Sequence, residues 1–312
     1  MMVTPAMIRE LREISGAGMS DCKKALTEVG GDIKKAVEFL REKGLAAAEK
    51  KAGRIAAEGL VALKVAPDFA QAVIVEVNTE TDFAAKSDNF KGFLADVVGQ
   101  LADTDVADLE AFMTAPWAKG EGYASVQEAL KGKIATIGEN LNIRRFARIN
   151  RAAPGIISNY VHGGGSIGVL LEIHSENQGE LLQEMGYNLC MQIAALMPKY
   201  LKVDDVDQEY LDSERKILTS VAQNDPANAE KPAAVIEKMI EGRLNKQLKE
   251  ICLMEQQYVR DTSMTVKAYV ESVAKEVGAA ITLNQFVCYE KGEGIEKKQE
   301  DFAEEVAKAM QG

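Results

Sequence analysis

Apolar residues recur along this chain with two different periods, and the change of period divides it. Met7, Leu11 and Ile14 share one helical stripe, Cys22, Ala25, Leu26 and Val29 a second, and Ile33, Ala36, Val37 and Leu40 a third. "SGAGMSD" separates the first two stripes, with Gly16 and Gly18 permitting a tight turn and Ser20 or Asp21 able to cap the second helix. "GGD" separates the second pair and offers Asp32 as an N-cap. Residues 1–52 are therefore predicted to be three short helices. Residues 46–57, "AAAEKKAGRIAA", read as a partly helical linker rich in small and basic residues. "GLVALKV" and "AVIVEV" then flank the turn sequence "APDFAQ", which predicts a β-hairpin. Phe90, Leu94, Val97 and Leu101 return to helical spacing, residues 123–136 look helical, and "NIRRFARI" reads as a strand.

A weak internal repeat runs through this pattern. "VIVEVNTE" (73–80) aligns with "VLLEIHSE" (169–176), setting Glu76 against Glu172 and Glu80 against Glu176. Each stretch ends a hairpin and precedes helices. Each half closes on a late strand, "NIRRFARI" in the first and "ITLNQFVCYE" in the second. The expected fold class is α+β: a three-helix N-terminal domain, two related lobes of small antiparallel sheet backed by helices, and an inserted helical hairpin. The hairpin comes from residues 201–253, where Ile236, Ile240, Leu244, Leu248 and Ile251 form a narrow apolar stripe. Such a stripe would be exposed unless something packs on it. The expected units are 1–52, 53–140 (first lobe), 141–200 and 254–290 (second lobe, in two parts), 201–253 (hairpin and candidate homodimerisation element) and 291–312 (C-terminal module).

Composition narrows the function classes. The chain has 312 residues and a formal net charge of -11, which argues against wholesale neutralisation of nucleic-acid phosphates. Residues 1–52 differ, with ten Lys and Arg against eight Asp and Glu, a net +2. No apolar run approaches the ~20 residues of a membrane span. "MMVTPAMIRE" lacks the pattern of a signal or transit peptide. Four Cys, at 22, 190, 252 and 288, have no CxxC spacing and fit reduced thiols in a cytoplasmic protein. No metal-ligand cluster, cofactor motif or activated nucleophile is evident, so an enzyme is not expected and neither a cofactor nor a metal is called for. "YVHGGGSIG" lacks GxGxxG spacing and a following GK[ST], and its Gly run reads as a hairpin turn.

"VEVNTETDF" (75–83) is the least ordinary stretch. A β-branched run ends in five polar residues followed by Phe83. Phe83 lies seven residues before Phe90, on nearly the same helical face. With Thr81 or Asp82 as N-cap, it reads on pattern alone as a first-turn core residue. The second copy of the repeat has "NQG" where the first has "TDF", so the shared fold does not demand the pair.

"LREISGAGMSDCKKALTEVGGDIKKAVEFLREKG" closely resembles the N-terminal module of bacterial elongation factor Ts. "EVNTETDFAAKSDNF", "IGENLNIRRF", "YVHGGGSIGVL" and "GEGIEK" resemble further blocks of that family, in order, over essentially the whole chain. The resemblance implies a guanine-nucleotide exchange factor for elongation factor Tu with a ubiquitin-associated-like N-terminal domain. It implies that Asp82 and Phe83, supported by Thr81 and Ala84, enter the partner's G domain and dislocate its Mg²⁺. Further partner contacts would come from Arg12 and Met19, from Ile137, Gly138 and His162, and from Val259 and Arg260. Two rival readings are a binding scaffold without exchange activity and a small-molecule enzyme using residues 163–165.

Overall fold

The computed structural model describes residues 3–120, 122–228 and 231–296. The C-terminal module expected at 291–312 therefore lies largely outside the described residues. The chain opens with helices α1 (Pro5–Ser15), α2 (Met19–Glu28) and α3 (Ile33–Lys51). The first lobe contains strands β1 (Glu58–Val65) and β2 (Gln71–Thr79), then α4 (Asp82–Lys86), α5 (Asp88–Asp103), α6 (Leu109–Thr114), α7 (Val126–Ile137) and β3 (Leu141–Asn150). The second lobe contains β4 (Gly155–His162), β5 (Ile167–His174) and α8 (Glu180–Leu196). The hairpin is α9 (Gln208–Asn224) and α10 (Ala233–Ile251). The chain returns to the second lobe with β6 (Gln257–Tyr258), β7 (Asp261–Thr265), α11 (Val266–Val277) and β8 (Thr282–Glu290).

Both large sheets are three-stranded and antiparallel, in the orders β1-β2-β3 and β4-β5-β8. The boundary expected at residue 140 is therefore corrected. Strand 141–150 pairs with β2 along its length, and the first lobe runs to Asn150. The two sheets face each other through Val61, Ile74, Ile149, Ile157 and Leu170, which form an apolar layer between the lobes. On the outer face of the first sheet, Val73, Val75 and Val77 pack against Phe90, Val97, Leu101 and Ile134 from α5 and α7. On the outer face of the second, Val169, Leu171 and Ile173 pack against Leu182, Leu189 and Ile193 from α8. Strand alternation explains why the central strands read as unbroken apolar runs: both of their faces are covered.

The repeat is present in detail. Glu76 and Glu172 are both fully buried. Each sits beside a β-bulge, where one extra residue, Arg144 or Asn284, is accommodated in the third strand of its sheet. The bulge turns the paired residues toward the glutamate. Arg144 and Arg145 reach Glu76 at 3.0 and 2.6 Å, while Asn284 and Gln285 donate to Glu172 at 2.9 and 2.7 Å. Burial alone would push the Glu76 carboxyl up, but donors from Asn78, the Gly292 amide, Arg144 and Arg145 outweigh it and hold the pKa below its ordinary value. Glu172 is likewise lowered against the effect of burial, by Gln285, Asn284, His174 and the Ala152 amide.

Two expectations about the helices are sharpened. The helical part of the partly helical linker expected at 46–57 is residues 46–51, the last turns of α3. Ala48 is buried in the first-lobe core, and a Cβ on Gly44 would lie 2.9 Å from the Ala135 Cβ of α7. The N-terminal helices are thus docked on α7. The apolar stripe of α10 is covered within the hairpin: Leu244 and Leu248 pack with Tyr210, Leu211 and Leu218 of α9. Among the described residues of the hairpin, Ile217 and Val221, one turn apart on α9, and Val235 near the start of α10 remain exposed.

Candidate functional site

Phe83 is 82 % exposed and Phe90 is fully buried, so the core assignment of Phe83 is overturned. The reason is local. Ser87 has extended backbone (φ -67°, ψ 148°), ends α4 and caps α5 through its Oγ and the Phe90 amide. The helix is broken between the two aromatics, so seven residues of spacing no longer place them on one face. Thr81 supplies the other end: its Oγ1 accepts the Ala84 amide and starts α4. The five-residue helix is too short to bury a face of its own, and only Ala85 among its residues is buried.

Asp82 is beside Phe83 and bonds Lys86, one turn on, at 2.6 Å. The Lys86 hydrogen bond, with added attraction from Lys86 and Lys291, holds the Asp82 carboxyl below its ordinary pKa. The pair is exposed and contributes little to stability. Asp82 is therefore charged at neutral pH and paired with Lys86.

The loop after α7 closes on this corner. Gly138 takes the left-handed conformation that ends α7 (φ 87°) and turns the chain toward Thr79–Thr81. There Glu139 Oε2 accepts the Thr79 hydroxyl at 2.8 Å and the Thr81 amide at 2.9 Å, while Oε1 accepts the Thr81 hydroxyl at 2.6 Å. The contact is reciprocal: Glu80 Oε1 accepts the Asn140 amide at 2.6 Å. Asn140 in turn donates to the Arg54 carbonyl at 2.7 Å, and Arg54 pairs with Glu80 at 3.5 Å. The α1–α2 turn meets the same region, since a Cβ on Gly16 would lie 3.5 Å from Thr136 Cγ2. Arg12 and Met19, both exposed, flank that turn. Thr81, Asp82, Phe83, Ala84, Ile137 and Gly138 thus belong to one region of the first lobe, and the α1–α2 turn that Arg12 and Met19 flank packs beside α7 at Thr136.

His162, Val259 and Arg260 form a second group on the second lobe, all three exposed. His162 Nδ1 is 3.0 Å from the Tyr160 hydroxyl, and Tyr160 meets Tyr187 of α8 edge-on at 5.5 Å. Arg260 donates to Asn188 Oδ1, next along α8, and the Val259 amide donates to Gln192 Oε1 at 2.8 Å. Val259 and Arg260 occupy the tip of the β6–β7 hairpin, held over α8 by Gln192. Sequence reading missed Glu139, Lys86 and the half-exposed Tyr187; an acidic residue beside a helix-ending Gly was the available signal for Glu139.

The Gly run at 163–165 is a turn between β4 and β5 whose glycines all have positive φ. The Gly165 and Ser166 amides donate back to the His162 carbonyl, and Gly165 packs on Leu60 while its carbonyl accepts the Val61 amide at 2.7 Å. The turn is part of the contact between lobes. Among the described residues no group of three or more His, Cys, Asp or Glu is placed to hold a metal ion, and no helix is long and apolar enough to cross a membrane.

The fold and its surface define a duplicated α+β protein that presents exposed side chains on braced turns. A profile of the family described as Elongation factor TS matches residues 80–293. The chain is 50 % identical over 310 residues to Elongation factor Ts of Clostridium tetani, covering 99 % of this chain and 100 % of the relative. It is 50 % identical over 309 residues to that of Clostridium novyi and 47 % identical over 308 to that of Clostridioides difficile, covering 99 % of both chains in each case. The chain belongs to the elongation factor Ts family.

Proposed function

We propose that this protein is the guanine-nucleotide exchange factor for elongation factor Tu, acting in the cytoplasm during translation elongation and performing no bond chemistry of its own. The observation that carries the reading is Phe83, a large apolar side chain 82 % exposed on a corner that the family resemblance assigns to the partner's G domain. Exposing a phenyl ring to water has no benefit for the isolated fold, whereas wedged among a partner's packed side chains it supplies a strong contact. Asp82 follows it in and competes for the groups around Mg²⁺. A bound Mg²⁺ demands near-ideal octahedral geometry, so small shifts of its surroundings weaken it and the phosphates it bridges. Thr81 and Ala84 form the capped turn beneath the pair. Arg12, Met19, Ile137 and Gly138 would extend the contact around the corner, and His162, Val259 and Arg260 would make a second contact from the other lobe. Self-association through residues 201–253 is part of the same proposal, supported by the exposed Ile217 and Val221.

The test is release of labelled GDP from elongation factor Tu. An exchange factor speeds release at substoichiometric amounts, because incoming nucleotide expels it for another cycle. Linkage adds a second requirement: if the factor lowers GDP affinity, GDP with Mg²⁺ must lower the factor's affinity by the same ratio, about 1.4 kcal/mol for each tenfold. Equal affinity for the GDP-bound and nucleotide-free partner would leave a scaffold as the better reading.

A further inference from the structure

Glu139 is neither a Phe83 neighbour in sequence nor one of the contacts that the resemblance assigns. Its three hydrogen bonds nevertheless all fall on Thr81, immediately before the Asp82–Phe83 pair, and on Thr79 behind it. Thr81 Oγ1 donates to Glu139 and accepts from the Ala84 amide, so the carboxylate fixes the very hydroxyl that starts α4. Gly138 and Ile137 precede Glu139 directly, and Asn140 after it is held by Glu80. The two loops are therefore clasped in both directions, each lending a carboxylate to the other's backbone.

We propose that Glu139 is the positioning residue of the exchange site, holding the Thr81–Ala84 corner in register with Ile137 and Gly138 so that Phe83 meets its partner on a rigid support. The proposal rests on the reading of Phe83 given above. A five-residue helix with one buried residue has little packing to orient it, and a short helix in isolation is not stable. Its direction is set at its first residue, by the cap. Charge-assisted hydrogen bonds to Glu139 are the contacts that keep that cap in one place. Without them Thr81 can still cap α4, but only the Glu80–Asn140 half of the clasp and the buried Ala85 still restrain the corner, which gains freedom to swing about the end of β2. The wedge then spends only part of its time in the productive direction, and the energy of inserting Phe83 is partly spent on ordering it. Glu139 would touch neither the partner nor its nucleotide.

The test is a double-substitution cycle on Glu139 and Phe83, read as the maximal GDP release rate from elongation factor Tu at saturating factor and as the concentration giving half of it. Glu139→Ala is expected to lower the maximal rate about tenfold, the scale of losing a hydrogen-bonded ionic acceptor. The half-maximal concentration should change much less, because the other contacts remain. Glu139→Gln should recover most of the rate, since its Oε1 can still accept from Thr79 and Thr81 while its amide donates to Thr81 Oγ1. In a Phe83→Ala background, Glu139→Ala should have no further effect, because residues acting through one another are not additive. Full additivity would overturn the proposal, and so would a wild-type rate in Glu139→Ala. Equal impairment of the Ala and Gln variants would also overturn it, by assigning the charge itself a contact with the partner. A Phe83→Ala protein with a wild-type rate would instead refute the parent reading of the corner.

Discussion

Phe83→Ala separates function from stability because of where the ring lies. Truncating a fully buried Phe costs about 3–5 kcal/mol. Phe83 keeps 82 % of its surface in water, so about a fifth of that cost applies, less than about 1 kcal/mol. Phe90, fully buried in the first-lobe core, is the internal control and should cost the whole amount. For a protein of this size each kcal/mol moves Tm by roughly 2–4 °C, so Phe83→Ala should stay within about 3 °C and Phe90→Ala should fall by about 10 °C. Exchange should show the opposite ranking for the surface residue. An aromatic anchor at an interface is worth about 2–4 kcal/mol, which is a loss of roughly 30-fold or more in stimulated GDP release for Phe83→Ala. The assays are calorimetric melting of each variant alone and fluorescent GDP release from elongation factor Tu. A Tm drop for Phe83→Ala comparable to that for Phe90→Ala would refute the inference from exposure. An unchanged release rate would refute the assignment of the corner.

The lobe contact should fail first at Gly168, where an added Cβ would lie 2.5 Å from Val61 Cγ1 and 3.1 Å from Ile74 Cδ1. Gly168→Val is expected to cost about 2 kcal/mol or more in urea unfolding, and no loss would show that the sheets can part freely. Acid should destabilise the fold through Glu76 and Glu172, whose pKa values are lowered from the ordinary 4.5. The unfolded chain then binds more protons, so their contribution is present above about pH 4.5 and is lost as pH falls through the lower folded values. Melting between pH 7 and 3 should show this decline, flattened in Glu76→Gln, and stability that rises toward pH 3 would contradict it. Ile217→Lys with Val221→Lys should shift stability by less than about 1 kcal/mol, both positions being exposed, and should reduce self-association in sedimentation. A monomeric unmodified chain would dispose of the dimerisation proposal.

The stripes on α1–α3, α5 and α10, the β1–β2 hairpin and the repeat were all legible in sequence, because each is a local period backed by burial on one side. What escaped depends on single residues or on long-range partners. The spacing of Phe83 and Phe90 was correct arithmetic applied to a helix that does not exist, since "KSDNF" holds the Ser87 cap that breaks it. Reading Ser87 and Asp88 as a helix start would have freed Phe83 from the core. The Glu139 clasp joins residues 58 and 60 positions apart, and no periodicity reports a contact of that kind. The hairpin stripe was read correctly as apolar, but its cover is α9 rather than another chain. The stretch from residue 46 is expected to be a partly helical linker, and its helical part is the end of α3; what composition does not report is that Gly44 and Ala48 bring α3 close to the first-lobe core and α7.

The duplication shows how a shared scaffold came to carry the corner only once. Both central strands bury a glutamate at a bulge, but they satisfy it differently. Glu172 is met by neutral amides of its own lobe and by His174. Glu76 is met by two arginines, whose charge is balanced only when Glu293 joins them; Arg145 reaches Glu293 at 2.9 Å, and the Gly292 amide donates to Glu76 at 2.7 Å. The first lobe therefore holds down the chain beyond β8, while the second needs nothing from outside. After the strand, the second copy passes through Ser175 and Asn177 to the start of α8 at Gly179. The first copy inserts Thr81, the short α4 and Ser87 before its long helix begins. The inserted turn is stabilised from outside the sheet, by Glu139, and buries almost nothing. Its side chains can thus be exposed and changed at little cost to either lobe, whereas the two buried glutamates cannot. An apolar wedge suits such a place, because the scaffold does not depend on the residues that would engage the partner.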